Sequence, residues 1–421
     1  MKTIIIGGGI AGLSAAIGLR RAGHDVLVVE RSSFLNEVGA AIHVPPNASK
    51  ILRRWGFDAE RAMADVALIA KNFDARTLEP TFEKDLSYME EKYGSPWLLC
   101  HRADLHNELK LLATQVHGEG KPVEVRLGAG VHAINPETGT VTLENTEVIS
   151  ADLIIAADGV HTMAADLVLG EPIPAAPTNT SAFRFLISTA DLKSSAGGAR
   201  KFLDYEGSMK IFIGEGGKRL VWYPCRRGQV QNFVAIYPDS STGDGREDWN
   251  VNASTTDFLA EFDGLHPVLL EACCQAKNIK SWKLLSRKPI RTWHRSRLVL
   301  IGDAAHPMLP HQGQGGAQAI EDGQALELIF YSFPNSPSAA EVGNHLTLFE
   351  RVRKDRASTM QIYSSAGQDE AAKIQAAARE YVKNGKIPTN QQEFYDWNFG
   401  YDIFSHCHDV MGAASADSEQ G

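Results

Sequence analysis

Residues 2–30 contain the stretch that decides the fold, and they read KTIIIGGGIAGLSAAIGLRRAGHDVLVVE. Lys2–Ile6 is a short run rich in β-branched residues, which is typical of a buried parallel strand. The glycines after it follow the pattern Gly7-x-Gly9-x-x-Gly12. Gly7 permits a sharp turn, Gly9 lets the backbone approach a phosphate, and Gly12 lets the next helix pack close to the strand. The stretch therefore predicts a strand, a tight turn and a helix that presents its N-terminal amides to phosphate.

The end of this stretch indicates which kind of phosphate ligand is bound. We predict a helix over residues 10–22 and a second strand that ends in Glu30, 18 residues after Gly12. A carboxylate at that place can accept both hydroxyls of an adenosine ribose and repels a 2′-phosphate. The spacing predicts an adenine dinucleotide, and the alternative is a glycine-rich turn in another kind of α/β protein.

Two later segments also place an acid where a hydrophobic strand ends. Asp158-Gly159 follows Asp152-Leu-Ile-Ile-Ala-Ala157, and Gly302-Asp303 follows Leu298-Val-Leu-Ile. Ligands bind at the carboxyl ends of strands in open α/β sheets. The glycines at positions 313, 315 and 316 then predict a helix whose amides face an anionic group. In this order the three segments predict one pocket around a flavin dinucleotide; the alternative for the last is an ordinary turn before a capped helix.

Composition narrows the class of protein. The chain has 421 residues, a hydrophobic content of 43% and a net charge of −9, which argues against nucleic acid and anionic membranes as partners. No apolar stretch reaches the roughly 18 residues of a membrane span, and the first strand begins at Lys2, so we expect no leader peptide. Five cysteines without Cys-x-x-Cys spacing predict neither a disulfide framework nor a metal site. We expect a cytoplasmic monomer or homodimer.

The pattern of elements changes along the chain. Short alternating segments from about residue 172 predict a separate antiparallel sheet, and helical patterns dominate from Gly316 onward. We therefore predict an α/β fold with a Rossmann-like dinucleotide-binding domain of the glutathione-reductase type, interrupted by an antiparallel-sheet substrate domain and followed by a helical C-terminal region. The predicted divisions are 1–76, 100–171 and 285–330 for the first domain, 77–99 and 172–284 for the second, and 331–421 for the helical region.

Further motifs lie between and after these segments: Glu37-Val-Gly-Ala-Ala-Ile42, Pro46-Asn47-Ala48, His101-Arg102-Ala-Asp-Leu105, Phe183-Arg184, Trp222-Tyr223-Pro224, Asn232-Phe-Val-Ala235 and Phe399-Gly400-Tyr401-Asp402. Together they resemble the single-component (group A) FAD-dependent aromatic hydroxylases of the para-hydroxybenzoate hydroxylase type. The resemblance covers nearly the whole chain, and it is nearest to salicylate hydroxylases, hydroxynicotinate monooxygenases and their fungal relatives.

The resemblance implies non-covalent FAD. It places Glu30 at the adenosine ribose, Arg102 at the pyrophosphate, Asp303 at the ribityl chain, and Asp158 between the FAD and NAD(P)H sites. The full set of cofactor-binding residues that it implies is Gly7, Gly9, Gly12, Glu30, Arg31, Ala41, Arg102, Val131, Asp158, Asp303, Pro310, Gly313, Gly315 and Gly316.

It also implies a monooxygenase that uses NADH or NADPH and O₂ to hydroxylate a phenolic or other aromatic substrate, such as a salicylate-like hydroxybenzoate, through a flavin C4a-hydroperoxide. That chemistry needs a base for the substrate hydroxyl, a dry cavity and anchors for the ring. His311 is the first candidate for the base and His43 the second. Arg184 and Tyr223 are the candidate anchors, and we expect His306 to be structural.

Two departures from the family pattern limit the prediction. Thr162 and Ala165 stand where relatives usually carry serine and arginine, which leaves the choice between NADH and NADPH open, and Ala41 replaces a usual glycine. Other functions remain as alternatives: a monooxygenase of fungal secondary metabolism acting on a polyketide or alkaloid, a flavin reductase without oxygen chemistry, or an ordinary nicotinamide dehydrogenase. The acids at positions 158 and 303 argue against the dehydrogenase.

Overall fold

The computed structural model describes residues 1–33, 40–194, 198–203, 207–239, 251–365, 371–382 and 387–419. Three residues of one family motif, Glu37, Val38 and Gly39, lie outside these described residues. No helix in the described ranges has the length and the apolar composition that crossing a bilayer requires.

The elements are numbered here in chain order. The described strands are β1 Lys2–Ile6, β2 Asp25–Val29, β3 Ala41–Val44, β4 Asp65–Val66, β5 Ile69–Asp74, β6 Pro80–Asp85, β7 Leu98–His101, β8 Glu124–Arg126, β9 Val131–Asn135, β10 Thr140–Leu143, β11 Val148–Ser150, β12 Leu153–Ala156, β13 Ala176–Ser188, β14 Ser208–Ile213, β15 Arg219–Cys225, β16 Val230–Pro238, β17 Val251–Ala253, β18 Ile279–Ser286, β19 His294–Arg295 and β20 Leu298–Leu300. The described α-helices are α1 Ile10–Arg21, α2 Pro46–Trp55, α3 Met89–Tyr93, α4 Arg102–Thr114, α5 Ala164–Leu169, α6 Thr189–Ser194, α7 Thr255–Glu261, α8 Pro267–Cys273, α9 Gly315–Ile329, α10 Ala339–Ser364, α11 Ala371–Ala378, α12 Gln391–Phe399 and α13 Ile403–Glu419.

A six-stranded sheet forms the first part of the molecule, with the strand order β19-β20-β12-β1-β2-β8. All of its neighbouring strands are parallel except β19 and β20. Helices α1 and α9 pack against each other so closely that a Cβ on Gly18 would lie 2.2 Å from the carbonyl oxygen of Gly323. A Cβ on Gly316, at the start of α9, would in turn lie 3.9 Å from the Ile10 side chain at the start of α1. The two helices therefore begin at the same edge of the sheet.

The second large sheet has eight strands in the order β17-β18-β13-β16-β15-β14-β5-β6. Its neighbouring pairs are antiparallel except β14 and β5, which run parallel. The sheet is therefore mixed, and the prediction of a purely antiparallel sheet is corrected at this pair. Strand β5, which the sequence division grouped with residues 1–76, is hydrogen-bonded inside this sheet. Parallel neighbours need a long crossover connection, and local sequence patterns do not reveal such a pairing.

The two faces of this sheet have different surroundings. Its outer face carries an aromatic core that includes Phe212, Trp222 and Phe233 and packs against α7 and α8. On its inner face, Val234 packs with Leu309, which precedes α9. Because side chains alternate along a strand, Tyr223 lies on the inner face, opposite its neighbour Trp222. The inner face is therefore the one turned toward the beginning of α9.

The helical C-terminal region surrounds α9. Helix α10 starts with a capping box, in which Ser338 and Glu341 each bond the other's backbone amide. It packs against α9, α11 and α13. The prediction of a mixed α/β protein with a parallel sheet and a helical C-terminal region is confirmed.

Candidate active site

The glycine turn after β1 is shaped by packing at two positions and open at the third. Gly7 has a φ of +101°, and a Cβ there would lie 2.6 Å from the carbonyl oxygen of Ala157. A Cβ on Gly12 would lie 1.9 Å from the carbonyl oxygen of Gly7. At Gly9, by contrast, a Cβ would meet no described protein atom within 4 Å. The protein itself requires the first and third glycines, and the open side of Gly9 is suited to the close approach of a phosphate.

The Glu30 carboxylate is fixed next to this turn. Its Oε2 accepts the amide of Gly8 at 2.7 Å and its Oε1 accepts the amide of Ser32 at 2.8 Å. A carboxylate has about four lone-pair positions. The two backbone bonds therefore orient the group and leave capacity for two ribose hydroxyls.

Asp303 lies in the Gly302–Ala304 turn, which is close in space to the beginning of α9. The Asp303 Oδ1 atom is 3.9 Å from the position that a Cβ on Gly315 would take. Asp303 is exposed, yet desolvation by the surrounding protein raises the pKa of its carboxyl, and the positive charge of Arg102 opposes that shift. Exposure together with desolvation is expected of a group that lines a deep cleft. The N-cap residue of α9, Gln314, makes no side-chain capping bond, so the helix presents its amides to the same cleft.

A buried network of charged residues is hydrogen-bonded to the Gly302–Ala304 turn that carries Asp303. Asp322 accepts the amide of Gly302 at 2.9 Å, is 2.8 Å from the His306 ring and 2.9 Å from Arg353 Nε. Arg353 also reaches Glu321 at 2.5 Å, and Arg356 binds the same carboxylate at 2.7 Å. His306 is thus a buried member of this network, which accords with the structural role expected for it. Neither arginine was among the predicted site residues; the available signal was a pair of cations one helical turn apart on one helix.

Polar groups lie on the inner face of the eight-stranded sheet. The register pairs Tyr223 with Asn232, and Arg184 pairs with Val234, two residues further along β16 and on the same face. The Arg184 guanidinium stacks 4.3 Å from the ring of Trp282, and burial lowers its pKa to about 10. Its Nε has no hydrogen-bond partner among the described residues. A desolvated cation whose Nε has no described partner favours the approach of an anion.

Asn232 joins this face to β3. Its Oδ1 accepts the amide of Ala41 at 3.0 Å, whereas its Nδ2 is buried and has no partner in the described part of the chain. Since the Ala41 amide is already donated, a cofactor contact at Ala41 would use its carbonyl group. No role for Asn232 was predicted from the sequence; the available signal was a pair of polar residues, Gln231 and Asn232, at the start of a mostly apolar strand.

His43 lies between the sheet and the glycine-rich loop before α9. Its ring centroid is 4.5 Å from that of Tyr223, and a Cβ on Gly313 would lie 3.1 Å from its Nδ1. Desolvation lowers the pKa of His43 to about 4, so the ring is neutral near pH 7. His311 is half-buried in the Pro310–Gln312 turn, directly before Gly313. The structure therefore brings His43 and Tyr223 into contact and places His311 on the adjoining turn.

The remaining predicted residues are Asp158, Arg31 and Val131. A Cβ on Gly7 would lie 3.0 Å from the Cα atom of Asp158, so this acid borders the glycine turn. Asp158 is exposed just after the end of β12; desolvation by the surrounding protein raises the pKa of its carboxyl, and a hydrogen bond from Thr162 opposes the shift. Thr162 thus keeps the hydroxyl of the serine it replaces. Arg31, whose charge also acts on Asp158, is 3.9 Å from Glu144. Val131 is half-buried at the start of β9.

Known proteins of one family are similar to this chain. The model of a family described as "FAD binding domain" matches residues 1–333. The FAD-dependent monooxygenase phomE′ of Diaporthe leptostromiformis is 39% identical over 386 residues, which cover 90% of this chain and 95% of the relative. The 6-hydroxynicotinate 3-monooxygenase of Pseudomonas fluorescens is 30% identical over 423 residues and covers 96% of each chain. The crystal structure of CtdE in complex with FAD and substrate 4 superposes with a TM-score of 0.80 over 100% of both chains at 21% identity, which shows the shared fold.

The matched family model includes all three glycine-anchored segments, up to and beyond Gly316. The relatives extend the match across the helical C-terminal region. The chain belongs to the FAD-binding-domain family and is an FAD-dependent monooxygenase of the aromatic-hydroxylase type.

Proposed function

We propose that this enzyme uses NAD(P)H and O₂ to hydroxylate an anionic phenolic ring, such as a hydroxybenzoate or a related ring acid. The observation that carries this proposal is the desolvated guanidinium of Arg184, on the sheet face that also carries Tyr223 and is turned toward the start of α9. A substrate carboxylate would supply the negative charge that the described residues do not place at the Arg184 Nε.

The cleft is suited to FAD along its whole length. In our proposal the open side of Gly9 takes the pyrophosphate together with Arg102, Glu30 takes the adenosine ribose, and Asp303 takes the ribityl chain. The other cofactor residues implied by the family resemblance keep their proposed roles. The six-stranded sheet would then be a domain of the glutathione-reductase type, with the predicted boundaries changed so that β5 belongs to the covering sheet.

Bound FAD, reduced by NAD(P)H and combined with O₂, supplies an electrophilic oxygen atom. The protein must hold the ring and remove the proton of its hydroxyl group. His43, with a pKa of about 4, accepts a hydrogen bond but does not retain a proton near neutral pH, which suits it to orienting the phenol. We therefore keep His311 as the proposed base and assign Tyr223 and Asn232 to positioning the ring.

A second candidate substrate class is favoured by the fungal relative phomE′, which is 39% identical to this chain. An enzyme of fungal secondary metabolism would act on a larger phenolic polyketide or alkaloid. Both classes share the acidic or phenolic ring that Arg184 would hold. A flavin reductase, in contrast, would show no oxygen uptake that depends on such a ring.

Asp303→Ala is expected to weaken FAD binding. The mutation removes a desolvated carboxylate at the start of α9. Losing a hydrogen bond to a charged group costs about 1.5–3 kcal/mol, which corresponds to roughly 10- to 150-fold in affinity. Equilibrium titration of the apoprotein with FAD measures it, and Asp263→Ala, at an exposed acid, serves as the control. An unchanged dissociation constant in Asp303→Ala would remove this residue from the cofactor site.

Arg184→Gln tests the substrate class. We expect the KM of the best ring acid to rise by roughly 10- to 150-fold, since a charge-assisted hydrogen bond is lost. The KM of the matching carboxamide should change by less than about threefold, because it carries no charge for the guanidinium. FAD affinity, measured in parallel, should be unchanged. Equal losses for the acid and its amide would contradict an anionic substrate.

A further inference from the structure

A separate cavity lies on the outer face of the eight-stranded sheet, on the side opposite Tyr223. Its volume is about 480 Å³, within the range of roughly 300–1,000 Å³ that is usual for small-molecule sites. Buried Lys210 and Phe202 line its inner part. The exposed side chains of Lys193 and Arg227 line its mouth. The proposed monooxygenase reaction uses none of these residues.

Lys210 is the unusual residue of this cavity. It is only 2% exposed, and its Nζ donates to the carbonyl oxygen of Ser208 at 3.3 Å. Its Nζ also lies 5.4 Å from the ring centroid of Trp222. None of the ion pairs among the described residues includes Lys210. Lys71, which lies opposite Lys210 on the neighbouring strand β5, is paired with Glu83 at 2.9 Å. Burying an ammonium group without a counterion costs free energy of folding. A ligand-binding role would explain why Lys210 is buried in this position.

The surroundings favour a negatively charged ligand. Among the residues that the structure describes, three cations line the cavity, and Asp65 is the one carboxylate. The Ser208 hydroxyl, two residues from Lys210 on the same face of β14, is buried and has no hydrogen-bond partner among the described residues. Desolvation lowers the pKa of Lys210 to about 7, and an anion in the cavity would favour its protonated form.

We propose that this cavity is a binding site for a small oxyanion, a carboxylate or a phosphate, which is held by the Lys210 ammonium with Lys193 and Arg227 at the entrance. The cavity volume, the lack of a counterion in the described structure and the excess of positive charge point to the same ligand chemistry. The site is separated from the flavin cleft by the sheet itself, so binding there does not depend on the hydroxylation chemistry.

Calorimetric titration of the FAD-saturated enzyme at pH 6.5 with inorganic phosphate, and separately with malonate, tests the proposal. We expect saturable binding of at least one anion, weakened on the order of tenfold or more by Lys210→Gln and little changed by Lys288→Gln, at an exposed lysine. Binding of phosphate alone assigns a phosphate ligand, and binding of malonate alone assigns a carboxylate. No saturable binding of either anion, or equal binding by Lys210→Gln, would overturn the proposal.

A second measurement on the unmodified chain avoids dependence on the folding of the variant. Acylation by acetic anhydride at pH 8, followed by peptide mass spectrometry, reports the accessibility of the Lys210 amine. The anion that binds should slow acylation of Lys210 while leaving Lys288 unaffected. If neither anion protects Lys210, the cavity is not an oxyanion site.

Discussion

Replacing His311 by alanine is expected to slow product formation by roughly 10²- to 10⁴-fold, the usual range for a lost general base. FAD should still bind, and reduction by NAD(P)H should continue, because the role we propose for His311 is toward the substrate hydroxyl and not toward the cofactor. A phenol that keeps its proton is a poor acceptor of electrophilic oxygen. Electrons from NAD(P)H should therefore be lost to hydrogen peroxide. The ratio of product formed to NAD(P)H consumed measures this uncoupling.

The matched comparison is His43→Gln, which changes the neutral histidine beside Tyr223. Because His43 has a pKa of about 4, we expect its loss to raise KM more than it lowers coupling. If His311→Ala retained normal turnover and coupling, His311 would have a packing role and His43 would become the candidate base.

Arg353→Met is expected to destabilise the protein by about 3–5 kcal/mol, the cost of removing one partner from a buried ion pair. Arg353 is fully buried and bonds Asp322, Glu321 and the side chain of Gln318. Its removal leaves two carboxylates without one of their cations. Since Asp322 also holds the amide of Gly302, we expect weaker FAD binding as well. Equilibrium unfolding in urea gives the change in free energy.

Arg351→Met provides the control on the same helix, because Arg351 is exposed. A surface substitution of this kind usually changes stability by less than about 0.5 kcal/mol. A loss below about 1 kcal/mol in Arg353→Met would show that the network does not hold the turn before Asp303.

The beginning of the fold could be predicted because its signals are local. Residues 10–22 were predicted as the first helix, and the structure has Ile10–Arg21. The glycine spacing and the two apolar strands specify this unit within thirty residues. The strands that end before Asp158 and Gly302 were recognised for the same reason.

What could not be predicted depends on residues far apart in the chain. The parallel pairing of β5 with β14 joins segments more than a hundred residues apart. The sequence of neither strand predicts which strand it pairs with. The Asn232 bond to Ala41 and the approach of Arg353 to Asp322 are also products of tertiary packing. The contacts of Asn232, Trp282 and Arg353 join segments that are distant in sequence, so they could be seen only in the folded structure.

The most direct test of the central claim is oxygen incorporation. The FAD-loaded enzyme is incubated with NAD(P)H, ¹⁸O₂ and a panel of hydroxybenzoates and hydroxypyridine carboxylates, and the products are analysed by mass spectrometry. We predict a hydroxylated product that carries one ¹⁸O atom from dioxygen, formed with ring-dependent oxidation of NAD(P)H. NAD(P)H oxidation with no ¹⁸O in any product, across the acids and larger phenols alike, would contradict the proposed hydroxylation.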